Sequence, residues 1–314
     1  MGENKKQHVV PRYYLKGFSS DGKSFFQFSA KARRTVGVNI KDVCTRNYFY
    51  DLSSDTDHRL ERTISIVESQ QDRFLQSFLN DVRDDKCNLE DNAIRFELMH
   101  FMLFMVARGF NARENISRAL SSILDLSVKT MMNNEQFREE IAQKIGKPLS
   151  INSNMIGTHL TKGSVMWQAP LFEIIEPVAE WLCENDFIHI YCIKTDMDVA
   201  WKSSFFTSEN PVYYKTVLDN GPYGNHGLLL PGTFYYMPLA FDVFAIVGDD
   251  DYRNKLNVDK YEVSFLYTSD ERTKTIIQLL NEITIQSSSD LVFSIDSDFS
   301  CPEMLLKLHE KGEI

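Results

Sequence analysis

The stretch Gln7–Phe18, QHVVPRYYLKGF, brings an imidazole, a guanidinium, two phenols and a proline together near the start of the chain. A secretory signal needs an apolar core and a cleavage site, and this segment has neither. A disordered tail would lack the aromatic side chains. We therefore expect the start of the chain to fold into the body of the protein and to supply residues to a functional site.

The composition is that of an ordered, acidic, globular protein. The 314 residues are 43% hydrophobic and 12% aromatic, and the formal net charge is -10. A negative balance argues against a broad nucleic-acid-binding surface, which is usually basic, but it allows a local basic pocket. No apolar run approaches the ~20 residues of a membrane-spanning helix, so we expect no membrane partner. The widely spaced cysteines include no CxxC pair, which indicates reduced thiols and a cytoplasmic location.

The hydrophobic pattern divides the chain into three regions. Residues 1–52 predict a β-rich N-terminal cap, because β-prone runs follow turn signals such as Asp21-Gly22. Residues 53–185 predict helices, with a core helix around the apolar run Leu98–Val106. Residues 186–314 predict a β-rich region with one late helix. The individual predictions are strands at 24–28, 34–40, 47–50, 187–193, 201–208, 234–239, 242–247, 261–267 and 291–295, helices at 59–82, 113–132, 171–183 and 273–285, and a loop over 150–170.

This order of elements predicts an α+β fold. We expect a central helical bundle that packs against a mostly antiparallel sheet formed by the N-terminal and C-terminal parts. No internal repeat interrupts the pattern, so we expect one unit that spans residues 1–314.

Several motifs resemble those of the mostly bacterial domain of unknown function 4238 family. The opening His8–Phe18 is similar to the family pattern HxVP(R/K/Q)xYLxxF, and Thr207–Val212, TSENPV, is similar to its TSDxPV motif with Glu209 in place of aspartate. Three further stretches resemble family segments in the same order along the chain, namely Arg59–Glu68, the helix that closes on Arg108, and Tyr236–Leu239. The resemblance implies a role in bacterial anti-phage defence and no particular reaction.

The side chains of these motifs form a candidate site. Two guanidiniums can clamp a phosphate, and an imidazole with a carboxylate can supply an acid and a base. We therefore assign His8 and Glu209 as catalytic, and we assign ligand or phosphate binding to Arg12, Arg108, Asn210 and Gln7. The alternative is a buried ion-pair and capping network, in which Arg108 caps helix carbonyls and residues 209–211 shape a turn.

These residues lead to a functional hypothesis with two alternatives. We expect an infection-triggered effector that acts on RNA or a nucleotide, with a phage-encoded trigger as its partner. The first alternative is a non-enzymatic sensor that recognises a phage protein or a small ligand. The second is an RNase of the HEPN class, because Arg95 and His100 have the Arg-x4-His spacing found there, although His100 also suits a core position.

No cofactor or metal signature is present in the sequence. GxxxxGK[ST], GxGxxG, GxSxG and HExxH are all missing, which disfavours P-loop, Rossmann and esterase chemistry. The acidic runs Asp249–Asp251 and Asp55–His58 predict solvated surface turns rather than metal sites. We therefore predict no metal centre and leave the cofactor open.

Overall fold

The computed structural model describes residues 6–47, 49–50, 59–113, 164–195, 204–216 and 232–297, with further helical positions at 130, 135, 136, 139 and 143. The helices are α1 (Arg12–Leu15), α2 (Arg59–Arg83), α3 (Asn92–Arg108), α4 (Ser164–Asn185), α5 (Asp250–Leu256) and α6 (Glu271–Ser287), with 3-10 turns at Lys16–Phe18 and Ile40–Asp42. The strands are β1 (Lys6–His8), β2 (Ser24–Ser29), β3 (Arg34–Asn39), β4 (Thr45–Asn47), β5 (Phe187–Lys194), β6 (Thr207–Ser208), β7 (Tyr213–Thr216), β8 (Thr233–Ala240), β9 (Val243–Gly248), β10 (Tyr261–Tyr267) and β11 (Leu291–Ser294).

The described strands form three sheets. β1 and β4 make an antiparallel pair, and the order β3-β2-β11-β6 makes a four-stranded antiparallel sheet. The third sheet has the order β10-β5-β9-β8-β7, in which the β10–β5 pair is parallel and the other pairs are antiparallel. The predicted α+β class is confirmed, and the four-stranded sheet combines strands from both ends of the chain.

The five-stranded sheet separates two apolar layers. Because side chains alternate along a strand, Ile188 and Ile190 of β5 face the main core, which also contains Leu98 of α3. On the other side of β5, Phe187 belongs to a second cluster with Ile277 of α6. The helices α2, α3 and α4 therefore lie in one layer and α6 in the other, with the sheet between them.

The opening segment is part of the main core. Val9, Val10, Leu15 and Phe18 are buried, and the Tyr14 hydroxyl donates to the Pro238 carbonyl at 2.7 Å. The same hydroxyl lies 2.7 Å from Thr207 Oγ1. One phenol therefore joins the opening segment to β6 and β8, which are separated from it by about two hundred residues of sequence.

Several predicted boundaries were wrong. β4 ends at Asn47, whereas a strand was predicted at 47–50, and within the described part of 201–208 only Thr207–Ser208 is a strand. α4 begins at Ser164, inside the predicted loop, and α5 occupies a predicted turn because Asp249 accepts from the Tyr252 backbone N–H and caps the helix. β1 and β7 were not predicted, since three or four residues are too few to show alternation. Almost all of the predicted helix 113–132 and the loop residues 150–163 lie outside the described residues.

Contacts join the helical region to the C-terminal sheet. Arg83 at the end of α2 donates from Nε and Nη2 to the two carboxylate oxygens of Asp242 at 2.7 and 2.6 Å. A two-point pair of this kind fixes orientation as well as distance. The division of the chain at 52/53 and 185/186 stays a prediction, as does the single unit over 1–314.

We predict that Tyr14→Phe lowers the free energy of unfolding by about 1–3 kcal/mol, because it leaves the buried Pro238 carbonyl and Thr207 hydroxyl without their partner. Urea denaturation measures this change. The matched control is Tyr267→Phe, whose side chain is exposed and which should change stability by less than about 0.5 kcal/mol. Equal effects of the two substitutions would contradict the structural role given to Tyr14.

Candidate functional site

His8, Arg12, Arg108 and Gln7 line one pocket of about 230 Å³. The N-terminal segment supplies one side of this pocket, and α2 supplies the other through Glu61, Ile64, Ser65 and Glu68. Tyr50 lies next to Arg108 in the wall. The structure thus brings four of the predicted ligand-binding and catalytic residues together, although Arg108 follows His8 by 100 residues. We call this the His8 pocket.

Arg108 is a buried wall residue, with only 1% of its surface exposed. Its Nη1 donates to Glu68 Oε1 at 2.5 Å, and its Nη2 donates to the His8 carbonyl at 2.7 Å. Burial opposes the charge of Arg108, but Tyr50 and Glu68 outweigh it, so the pKa of Arg108 stays above its usual range. Arg108 therefore holds α2, α3 and β1 together, and its two outer nitrogens are already occupied.

His8 is a partly buried imidazole whose Nε2 has no hydrogen-bond partner in the described structure. Burial lowers the pKa of His8, a hydrogen bond with the Ile40 backbone raises it, and the charge of Arg12 lowers it further, so the net shift is downward. The downward shift favours the neutral imidazole.

Two opposite charges in the pocket are unpaired among the described residues. Arg12 is exposed at the start of α1, and Glu61 lies in the first turn of α2. Neither makes an ion pair or a hydrogen bond through its side chain with the part of the chain that the structure describes. Lys6, by contrast, pairs with Asp42 at 3.1 Å at the pocket rim. Arg12 is thus available for an anionic group.

Gln7 supports the pocket wall. It is 4% exposed, and its Oε1 accepts from the backbone N–H of Tyr50 at 2.7 Å. Tyr50 in turn donates from its hydroxyl to the Arg108 carbonyl at 3.4 Å. Gln7 therefore positions Tyr50 through its side-chain oxygen, which leaves that atom engaged rather than open to a ligand.

Glu209 does not line the His8 pocket. Its carboxylate accepts from the backbone N–H groups of Ser289, Asp290 and Leu291 at 2.7–2.8 Å, and from the Ser288 hydroxyl at 3.3 Å. Burial raises the pKa of Glu209, and the backbone hydrogen bonds act in the opposite direction. The side chain thus fixes the turn between α6 and β11, which agrees with the capping alternative. The catalytic assignment of Glu209 gains nothing from this placement.

Asn210 also lies away from the His8 pocket. Its side chain is 5% exposed, and neither Oδ1 nor Nδ2 has a hydrogen-bond partner in the described structure. It lines a separate cavity of about 30 Å³ at the end of α3, beside Val106 and Gly109. A cavity of that size and polarity suits one water molecule that bridges the amide.

Arg95 and His100 contact different parts of the protein. Arg95 donates to the Leu89 carbonyl at 2.8 Å and lies over the Tyr261 ring at 4.2 Å. His100 Nδ1 lies 3.3 Å from Gln71 Nε2, on the side of α3 that faces α2. The two side chains occupy separate environments, as their spacing of five residues on one helix implies.

The described residues contain neither a metal-binding cluster nor a membrane-spanning helix. No group of three or more His, Cys, Asp or Glu side chains there is arranged to hold a metal ion. None of the helices within those same ranges is both long and apolar enough to cross a bilayer. Cys44, Cys87, Cys183 and Cys192 are free thiols.

A family model described as a protein of unknown function, DUF4238, matches residues 6–298. The chain belongs to the DUF4238 family. No curated protein and no solved structure matches the chain. For this DUF4238 protein, the chemistry must therefore be argued from the site itself.

Sequence reasoning missed the carboxylates of the pocket. Glu61 and Glu68 are seven residues apart on α2, so two helical turns place them on the same face. Both lie within the Arg59–Glu68 stretch that resembles the family's first helix, and this was the available signal. Glu209 was assigned to the site instead, because the motif that contains it is more specific in sequence.

We predict that the pKa of His8, measured by NMR titration, lies below 6.5 and rises in Arg12→Ala, because that substitution removes a positive charge that disfavours the imidazolium. Arg62→Ala is the control, since Arg62 is an exposed α2 residue that does not line the pocket. With a lowered pKa, His8 contributes stability that is present above pH ~6.5 and is lost as the pH falls. An unperturbed His8 pKa that stays the same in Arg12→Ala would contradict this geometry.

Proposed function

We propose that this protein is an infection-triggered effector in bacterial anti-phage defence that acts on RNA or a nucleotide at the His8 pocket. We further propose that it works in the cytoplasm, which suits the four free thiols of the described residues. The defence role rests on the family resemblance. The choice of a phosphate-bearing substrate rests on the pocket.

The convergence of His8, Arg12 and Arg108 on one pocket carries the proposal. Arg12 offers a guanidinium that pairs with no side chain of the described residues, and a guanidinium is the group best suited to bind a phosphate at two points. Burial lowers the pKa of His8, which favours the neutral imidazole that a general base needs. A cation and a base in one small polar pocket are the groups that chemistry at a phosphate requires.

The residues then have distinct roles. Arg12 binds the phosphate, and His8 takes or returns a proton beside it. Arg108 is a positioning residue, because its Nη2 holds the His8 carbonyl and its Nη1 is engaged by Glu68. Gln7 and Tyr50 position the wall behind Arg108. Glu209 and Asn210 take no part in this scheme.

The second candidate is a non-enzymatic binding module that takes the same phosphate-bearing ligand as a signal. The observation that favours it is the ion pair between Arg108 and Glu68, because a carboxylate held in that pair is not free to transfer a proton. Only His8 and Glu61 then remain among the described His and Glu side chains of the pocket to transfer one. A sensor needs only the Arg12 contact and not proton transfer. No observation favours the HEPN alternative, since Arg95 and His100 do not meet.

We predict that wild-type protein protects cells from phage and fragments RNA, whereas His8→Ala and Arg12→Ala do neither while remaining folded. Arg62→Ala and His100→Ala should behave as wild type, because neither residue lines the pocket. Plaque counts and RNA integrity after phage challenge are the measurements, with melting temperature as the check on folding.

Other outcomes of this experiment would support a different function. Protection that persists in both folded pocket variants would refute a role for the pocket in defence. Protection that depends on Arg12 but leaves RNA and nucleotide pools intact would establish the binding module. Loss of RNA cleavage in His100→Ala alone would support the HEPN alternative.

A further inference from the structure

The His8 pocket has two chemically different walls. The N-terminal segment supplies the cationic wall, where Arg12 is the charge without a partner among the described residues. Helix α2 supplies the other wall, where Glu61 is a carboxylate without a side-chain partner in the same described ranges and Ser65 lies one turn further on. Glu68 completes that wall, but its charge is matched by Arg108 at 2.5 Å. Among the described residues, the pocket therefore presents one unpaired positive charge and one unpaired negative charge.

This separation of charge restricts the ligand. A bare phosphate would satisfy Arg12 and would leave Glu61 without a partner. Two unlike charges that share one pocket without pairing are complementary to a ligand with an anionic end and a hydrogen-bond-donating end. A carboxylate accepts hydrogen bonds from hydroxyl groups, and it is the side chain that binds ribose hydroxyls in dinucleotide sites.

The volume of the His8 pocket also restricts the size of the ligand. The pocket measures about 230 Å³, whereas a cavity of about 150 Å³ holds one benzene molecule. That volume has room for a five-membered sugar ring and a phosphate.

We propose that the His8 pocket is selective for ribose phosphates, with Glu61 as the residue that accepts a hydrogen bond from the 2′-hydroxyl. This inference rests on the proposed function and names its substrate class as RNA or ribonucleotides rather than DNA. Arg12 binds the phosphate, and Glu61 orients the sugar because it attracts the hydroxyl. Ser65 donates its own hydroxyl to the Glu61 carbonyl at 2.9 Å, so its oxygen is a second acceptor on this wall.

The test compares three probes by NMR titration of the full chain. These are uridine 5′-monophosphate, 2′-deoxyuridine 5′-monophosphate, which differs by the one hydroxyl, and inorganic phosphate. Wild type should bind the ribonucleotide more tightly than the deoxyribonucleotide by about tenfold or more, the ratio expected for one hydrogen bond to a charged group. Glu61→Ala should bring that ratio to one without weakening inorganic phosphate. The matched control Glu173→Ala, an exposed glutamate of α4 that does not line the pocket, should leave the ratio unchanged.

Arg12→Ala separates this inference from the proposed function. If the pocket binds phosphate, Arg12→Ala weakens all three probes by about tenfold or more. Equal binding of the two nucleotides to wild type, or a ratio that survives in folded Glu61→Ala, overturns the ribose inference while phosphate binding stands. Inorganic phosphate that fails to bind, or that binds Arg12→Ala as well as wild type, overturns the proposed function as well.

Discussion

The buried guanidinium of Arg108 is the constraint on which the site depends. An arginine that is 1% exposed cannot keep its charge without partners, because removing it from water costs several kcal/mol. Glu68 and the His8 carbonyl supply those partners from two other segments of the chain. The need to satisfy one charge thus fixes where β1 and α2 lie relative to the end of α3. The pocket is the space that remains between them.

The Tyr14 hydroxyl plays a comparable part for the fold. It satisfies a carbonyl of β8 and a hydroxyl of β6 with a single buried group. Buried polar groups of this kind specify one arrangement, because any other arrangement leaves them unpaired. Together, Arg108 and Tyr14 explain why the opening segment is rich in residues that bind across the molecule, and why it belongs to the body of the protein rather than to a tail.

The sequence predicted the parts of the structure that carry strong local signals. The apolar run of α3 and the alternation in β5 and β9 were recognised because long, regular elements display their period. The short strands β1 and β4 and the helix α5 were missed or misplaced, since three to seven residues leave the pairing partner or the cap to decide. The parallel pairing of β10 with β5 depends on contacts between distant segments and has no local signature.

The residues of the candidate site were also predictable only in part from the sequence. His8, Arg12 and Arg108, three residues of the candidate site assigned from the sequence, line one pocket. Glu209 was assigned to it because of its motif, but three backbone N–H groups engage its carboxylate elsewhere. The carboxylates in the pocket, Glu61 and Glu68, lie on an ordinary amphipathic helix whose polar face looks like a solvated surface. Only the position of Arg108 reveals that this face lines a pocket.

The phosphate site is tested most directly by a crystal structure of the protein soaked with tungstate, a tetrahedral oxyanion whose position anomalous scattering reveals. We expect an anomalous peak in the His8 pocket, within hydrogen-bond distance of the Arg12 guanidinium and beside His8, and its loss in crystals of Arg12→Ala. A peak elsewhere, or a pocket peak that remains in Arg12→Ala, would contradict the claim that this pocket is a phosphate site built around Arg12.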